Sequence, residues 1–220
     1  PSLNTTDRMT LMVSGSIVSN PLDADRIGVV SIGSGSVAKN TNSIAIGANA
    51  EAYRTDGVGS IAIGAHARAN YNGSMAVGYG ATAISEGGMA FGGHAGGDYS
   101  TALGSAAYAN GQNSVSAGRS AHDNGNYYST CVGFAAKSFG GFATALGADT
   151  QASDSAISIG YETRALEHGI VLGYRGRAPI SGFIVSTDYS NHILSGQFND
   201  TFDAVNGHLN ILGDSLKVSG

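Results

Sequence analysis

The residues of this chain that could do chemistry are few, and only its tyrosines gather. Of the ten tyrosines, Tyr127 and Tyr128 are adjacent in a stretch rich in Asn and Gly, and Tyr189 closely precedes Asn191 and His192. Tyrosine offers a broad apolar plate with a polar handle, which suits stacking on a sugar or a protein surface. Tyr127, Tyr128, Tyr189, Asn191 and His192 are therefore the candidate receptor-binding residues. His66 and His94 each follow a glycine by two places. Three copies of such a histidine around an axis could take up an anion or a metal. A lone imidazole column lacks the mixed ligands that metals usually require, so both are read as solvent-facing ring positions. Cys131 is single, which excludes an intrachain disulfide and a cysteine-clustered zinc site. No cation stands near it in sequence to activate a thiolate, and it reads as a small buried residue. The chain has no GxSxG, HExxH or Walker A motif and no glycine–aspartate calcium nonapeptide. No catalytic residue, no metal and no cofactor is expected.

Composition bounds what can position these residues. Glycine stands at 34 of 220 residues, and charged residues make up 12%, about half the usual share. So many small side chains cannot fill a thick core. The formal charge of −5 leaves no basic footprint for nucleic acid, and none is expected as a partner. No apolar run is long enough to cross a bilayer, so direct membrane insertion is not expected. The start, Pro1-Ser2-Leu3, shows neither an initiator methionine nor an export signal, as a mature or recombinant fragment would.

Internal repetition decides the fold class. Glycines that close short runs of small and apolar residues fall at Gly33, Gly47, Gly64, Gly78, Gly92, Gly104, Gly118, Gly133, Gly147, Gly160 and Gly173. Their spacings are 14, 17, 14, 14, 12, 14, 15, 14, 13 and 13. The clearest copies read NSIAIGANAEA (42–52), GSIAIGAHARA (59–69), GSMAVGYGATA (73–83) and YSTALGSAAYA (99–109). Each unit is two short strands joined at a glycine and followed by a polar loop. Stacked units satisfy their backbone on the neighbours above and below, which makes an all-β solenoid of about eleven coils.

The columns predict which way side chains point. One and three places before the glycine sit large residues such as Ile61 with Ile63, or Met75 with Val77. Residues two apart share a face of a strand, and this pair is expected to face the coil's own core. Between them runs a small column that includes Ala45, Ala62, Ala76, Ala90, Ala102, Cys131 and Ala145, with no charge in any copy. A solvated face would carry charges, so this column is expected to press against sister chains. It is the predicted trimer interface.

The NSIAIGANAEA unit resembles the head repeat of YadA-like trimeric autotransporter adhesins. The resemblance covers residues 30–178 and implies a left-handed parallel β-roll that assembles as a homotrimer. Residues 1–29 are expected to form a strand-rich lead-in that caps the first coil. Residues 179–220 lose the period and become more aromatic, as a small C-terminal β region. Within them ILSGQFNDTFDAVNGHLNILGDSLKVSG (193–220) is similar to the strands that precede the self-cleaving intramolecular chaperone of phage tail fibres. An end at Gly220 is compatible with such a cut. These resemblances imply an extracellular, non-enzymatic fibre or adhesin on a cell surface or a virion. Its receptor would be a glycan or an envelope component. A structural spacer of a longer fibre, the head of a trimeric autotransporter adhesin and a polysaccharide-degrading tailspike are the alternatives.

Overall fold

The structure is a computed structural model that describes residues 10–13, 17–18, 28–39, 41–53, 59–188, 192–197 and 209–210. It divides into two units, residues 1–113 and 114–220. Among the described residues both are built from strands and turns, with no helix, and each is a stack of β-solenoid coils.

In the first unit each coil has a leading strand and a shorter return strand. The leading strands Val29–Ile32, Ile44–Ile46, Ile61–Ile63, Met75–Val77, Met89–Phe91 and Thr101–Leu103 stack in parallel register. The return strands Val37–Ala38, Glu51–Ala52, Arg68–Ala69, Thr82–Ala83, His94–Ala95 and Tyr108–Ala109 stack likewise. Backbone bonds run from coil to coil: the Ile61 N–H donates to Ser74 O at 2.9 Å, and the Arg68 N–H to Ala81 O at 2.8 Å. The lead-in joins the same ladders. Thr10–Val13 pairs in parallel with Val29–Ile32, and Ile17–Val18 with Val37–Ala38. Its described strands thus form one more coil of the solenoid.

The glycine at the corner does what its place in the repeat predicts. Gly47 has φ +129, and a Cβ on it would meet the Gly64 carbonyl carbon and oxygen at 2.6 Å. Any side chain would strain the backbone and push the next coil away. The period slips at one coil. Gly92 and Gly104 are 12 apart, and the corner that holds Ala65 and His66 in a full coil is two residues shorter there. His66 therefore sits at the turn with φ 59, while His94 lies in a return strand opposite Thr82 and Tyr108. The two histidines do not share a column.

The second unit repeats the plan with leading strands Val115–Ala117, Thr130–Val132, Thr144–Leu146, Ile157–Tyr161, Ile170–Tyr174 and Gly182–Ser186. Its return strands are Lys137–Ser138, Gln151–Ala152, Arg164–Ala165 and Arg177–Ala178. The parallel order ends at Gly182–Ser186. That strand pairs antiparallel with His192–Gln197, which in turn pairs with Leu209–Asn210. The loss of the period after residue 178 thus precedes a change of sheet type.

The core corrects the expected orientation of the leading strands. Ala45, Ala62, Ala76, Ala90, Ala102, Cys131 and Ala145 are all 0% exposed within the single chain. They line the inside of the coil and cannot be the surface on which sister chains meet. The large residues point out: Ile63 is 37% exposed, Met89 and Phe91 are each 40%, and Leu103 is 39%. The reason is width. The return strand also turns small residues inward, as with Ala67 and Ala69 opposite Ala62, and all three are fully buried. Over the alanine-lined coils, two walls joined by a tight glycine corner leave room for little more than methyl groups, whereas near the end of the stack Val171 and Ile184 are buried in the same column. Sheet packing with large side chains needs about 10 Å between the walls.

Hydroxyls share this narrow interior. Ser31 and Ser36 meet at 2.8 Å, and Ser158 donates to Thr163 at 2.8 Å. The coil that opens the second unit places a charge there instead. Asp123 is 0% exposed, accepts a short hydrogen bond from Ser114 Oγ, and accepts the Gly125 N–H at 3.0 Å. No named return strand forms in that coil, only an isolated parallel bridge between His122 and Lys137.

Candidate functional site

Aromatic side chains collect at the corners, because most of the interior is lined by small groups. The best-formed cluster lies at the polar turn that precedes each leading strand of the second unit. The repeat puts Phe142 one coil from Tyr128, and their rings stack at 5.3 Å with planes 11° apart. Tyr127 stands edge-on to both, at 5.9 Å from Tyr128 and 5.6 Å from Phe142, with planes at 88°. All three stay more than half exposed. Tyr128 has φ 55 and Phe142 φ 54, where the chain elsewhere uses Gly73, Gly87 or Asn113 at the same place. Bulky residues in the left-handed region carry a cost of about 1–3 kcal/mol, a strain that collects at functional surfaces. The result is a small aromatic platform, able to stack against a flat apolar face.

Of the predicted binding residues, the structure brings Tyr127 and Tyr128 together and adds Phe142. Tyr189 and Asn191 lie outside the described residues. His192 begins the antiparallel strand and stands opposite Ser186. Sequence reasoning missed Phe142, although its distance of 14 from Tyr128 is one coil of the repeat and carried the signal.

A second aromatic pair occupies the glycine corner of the later coils. Tyr161 and Tyr174 stack at 5.4 Å, and Arg175 lies 5.0 Å above the Tyr174 ring while its Nε bonds Glu162 at 2.7 Å. The Glu162 carboxylate, by hydrogen bond and by charge, raises the Tyr161 phenol above its ordinary value. This pair is knit to itself, and it offers less free surface than the platform. Elsewhere Arg119 covers the Phe134 ring at 4.6 Å.

Cys131 behaves as a buried small residue. Burial first, and the Asp123 charge second, push its thiol up to about 12. Its Sγ donates to His122 O at 3.4 Å. Burial lowers His94 below the ordinary imidazole value. Asp154, Glu167 and His168 bring their ligand atoms within 4.8 Å of one another, and these residues could hold a metal ion. All three are exposed, without the buried outer layer that orients ligands in built sites. Sequence reasoning did not join them because Asp154 and Glu167 lie 13 residues apart, again one coil.

The coils of both units share a mostly small-residue interior and leading strands whose larger residues face outward. The YadA head domain repeat (2 copies) matches residues 30–50, 56–81, 72–95 and 95–121. Over these stretches, less than half of the chain, the sequence is similar to the YadA head repeat. The in-register coils continue beyond the matched residues to Gly182–Ser186. Comparison with the curated proteins gives no match.

Proposed function

We propose that the chain forms a homotrimer outside the cell and attaches, without catalysis, to a surface receptor of glycan or envelope character. One observation carries this reading: the outward face of the leading strands is mostly apolar, with threonine only at Thr101, Thr130 and Thr144. Ile44 and Ile46, Ile61 and Ile63, Met75 and Val77, and Met89 and Phe91 form a continuous wall along the first unit. A contiguous apolar surface of this kind marks an interface, and the similarity to the YadA head repeat supports a threefold arrangement of it. The wall thus takes over the role first assigned to the alanine column. The return strands then face outward, and the corners stay accessible.

The aromatic platform of Tyr127, Tyr128 and Phe142 supports the receptor reading. Three copies in one trimer give avidity without tight binding at any one site. Light scattering of the purified protein tests the assembly, with a trimer mass expected and a monodisperse monomer overturning it. Cell attachment by Tyr128→Ala/Phe142→Ala against the parent tests the platform, with attachment expected to fall. A virion fibre tip is the second reading, favoured by the change from parallel to antiparallel pairing after Gly182–Ser186. A longer protein that attaches equally well without residues 179–220 rules that tip out.

A further inference from the structure

Along the polar turns of the second unit, each coil sets an equivalent residue above the last. The Phe142 N–H donates to Tyr127 O at 3.2 Å, the Ser155 N–H to Gly141 O at 2.9 Å, and the His168 N–H to Asp154 O at 3.0 Å. Tyr128, Phe142, Ser155 and His168 therefore hold the same place in four consecutive coils, all with φ between 51 and 56. Three of them carry a flat ring, and the third place in the series holds a serine. Tyr128 stacks on one face of Phe142, so the other face of that ring looks along the stack toward the Ser155 coil. Tyr127 is seated over Gly141, where a Cβ would come within 3.3 Å of its ring. Coils repeat at about 4.8 Å, so Phe142 and His168 stand two coils, about 10 Å, apart at their turns. Stacked rings keep their centres about 4.5–7 Å apart, and this interval holds one further ring. The column is a rung short at Ser155.

Polar groups border the gap. Asp154, Ser155, Glu167 and His168 are all exposed. One ligand atom from each of Asp154, Glu167 and His168 lies within 4.8 Å of the other two, and Ser155 Oγ donates to Asp154 Oδ2 at 3.2 Å. An aromatic face with carboxylate acceptors at its margin matches a pyranose, whose C–H face stacks while its hydroxyls donate. Neither Lys nor Arg occurs at the turn positions 127–128, 141–142, 154–155 and 167–168, and the two carboxylates repel a sugar acid. An uncharged ring fits best. We propose that a neutral hexopyranose unit of a surface glycan enters this gap, stacked on the Phe142 face turned from Tyr128, with its hydroxyls on Asp154 and Glu167. The proposal rests on the aromatic platform being a receptor site, and it adds the sugar class and the carboxylates that select it.

Calorimetric titration of the intact protein with linear galactan, mannan and dextran tests this, with polygalacturonate as the acidic counterpart. The parent is expected to bind at least one neutral polymer and to leave polygalacturonate unbound. Ser155→Phe fills the missing rung and should lower that binding at least about tenfold, because the sugar then has no ring face to reach. The turn already accepts Phe142 at nearly the same φ, so the fold should hold, and circular dichroism and trimer mass verify that. Asp154→Asn/Glu167→Gln should weaken binding at least about fivefold, as loss of charge-assisted hydrogen bonds does. Glu51→Gln removes a carboxylate paired with Arg68 at 3.3 Å in the first unit, and should leave binding unchanged. Binding of none of the neutral polymers, equal binding of polygalacturonate, or undiminished binding by Ser155→Phe or by the double variant overturns the proposal. Cell attachment separates it from the platform reading. Attachment lost in Tyr128→Ala/Phe142→Ala but kept in Ser155→Phe would overturn the sugar gap and leave the platform standing.

Discussion

The inner and outer surfaces of a leading strand are a single bond apart in the chain and obey opposite rules. Ala62 faces in and is 0% exposed, while Ile61 and Ile63 on either side face out. In most domains the larger apolar residue would be the buried one. Here the interior is too thin for it, so the small residue fills the coil and the large one faces outward. Buried and outward-facing positions thus alternate along one strand, with residue size reversed from the usual order.

The comparison breaks most severely if the inside is made large. Ala62→Leu or Ala145→Leu should destabilise the coil by about 3 kcal/mol, at the upper end of overpacking costs, and denaturant midpoints would register it. If instead these alanines tolerate leucine, the coil is wider than it looks. Charge on the outside should act on assembly: Ile61→Asp/Ile63→Asp is expected to yield monomers that keep their β-type circular dichroism, each lost isoleucine contact being worth about 2 kcal/mol. Loss of the fold together with the trimer would mean that the coil needs its partners. Asp123→Ala removes the interior carboxylate and strands Ser114 and the Gly125 N–H, at about 1–3 kcal/mol by thermal melting. Cys131→Ala keeps the inside small and should cost about 1 kcal/mol or less. In the parent, with its thiol pushed up to about 12, alkylation in mildly alkaline buffer should require unfolding. The smallest effect belongs to the outer polar wall, where Glu51→Gln breaks an exposed pair and should shift stability by under about 1 kcal/mol.

The repeat, the glycine corner and the parallel coils were legible because each rests on spacing. The sidedness of the strands was not. Alternation tells which residues share a face but not which face is in, and the usual preference for large residues inside pointed the wrong way at Ala62 and Ala145. The volume argument that settles it needs the return strand as well. Ala67 and Ala69 are small too, and two small columns facing each other leave no room for isoleucine. The binding corner was half legible. Tyr127 and Tyr128 drew attention as neighbours, whereas Phe142 joins them only through the coil period. Asp154 and Glu167 were missed for the same reason, and so was the alignment of Arg164 with Arg177. His66 and His94 show the opposite error, for a two-residue shortening hides in a sequence count and moves His94 onto a strand.

The stacked corner glycines also say how such a protein can change over generations. Since Gly47 abuts Gly64 with no space for a methyl group, one coil fits the next by a rule that does not depend on its place in the stack. A gene segment of one period, copied or lost in frame, would lengthen or shorten the molecule by a whole storey. The turns then vary without any rebuilding of the stacked strands.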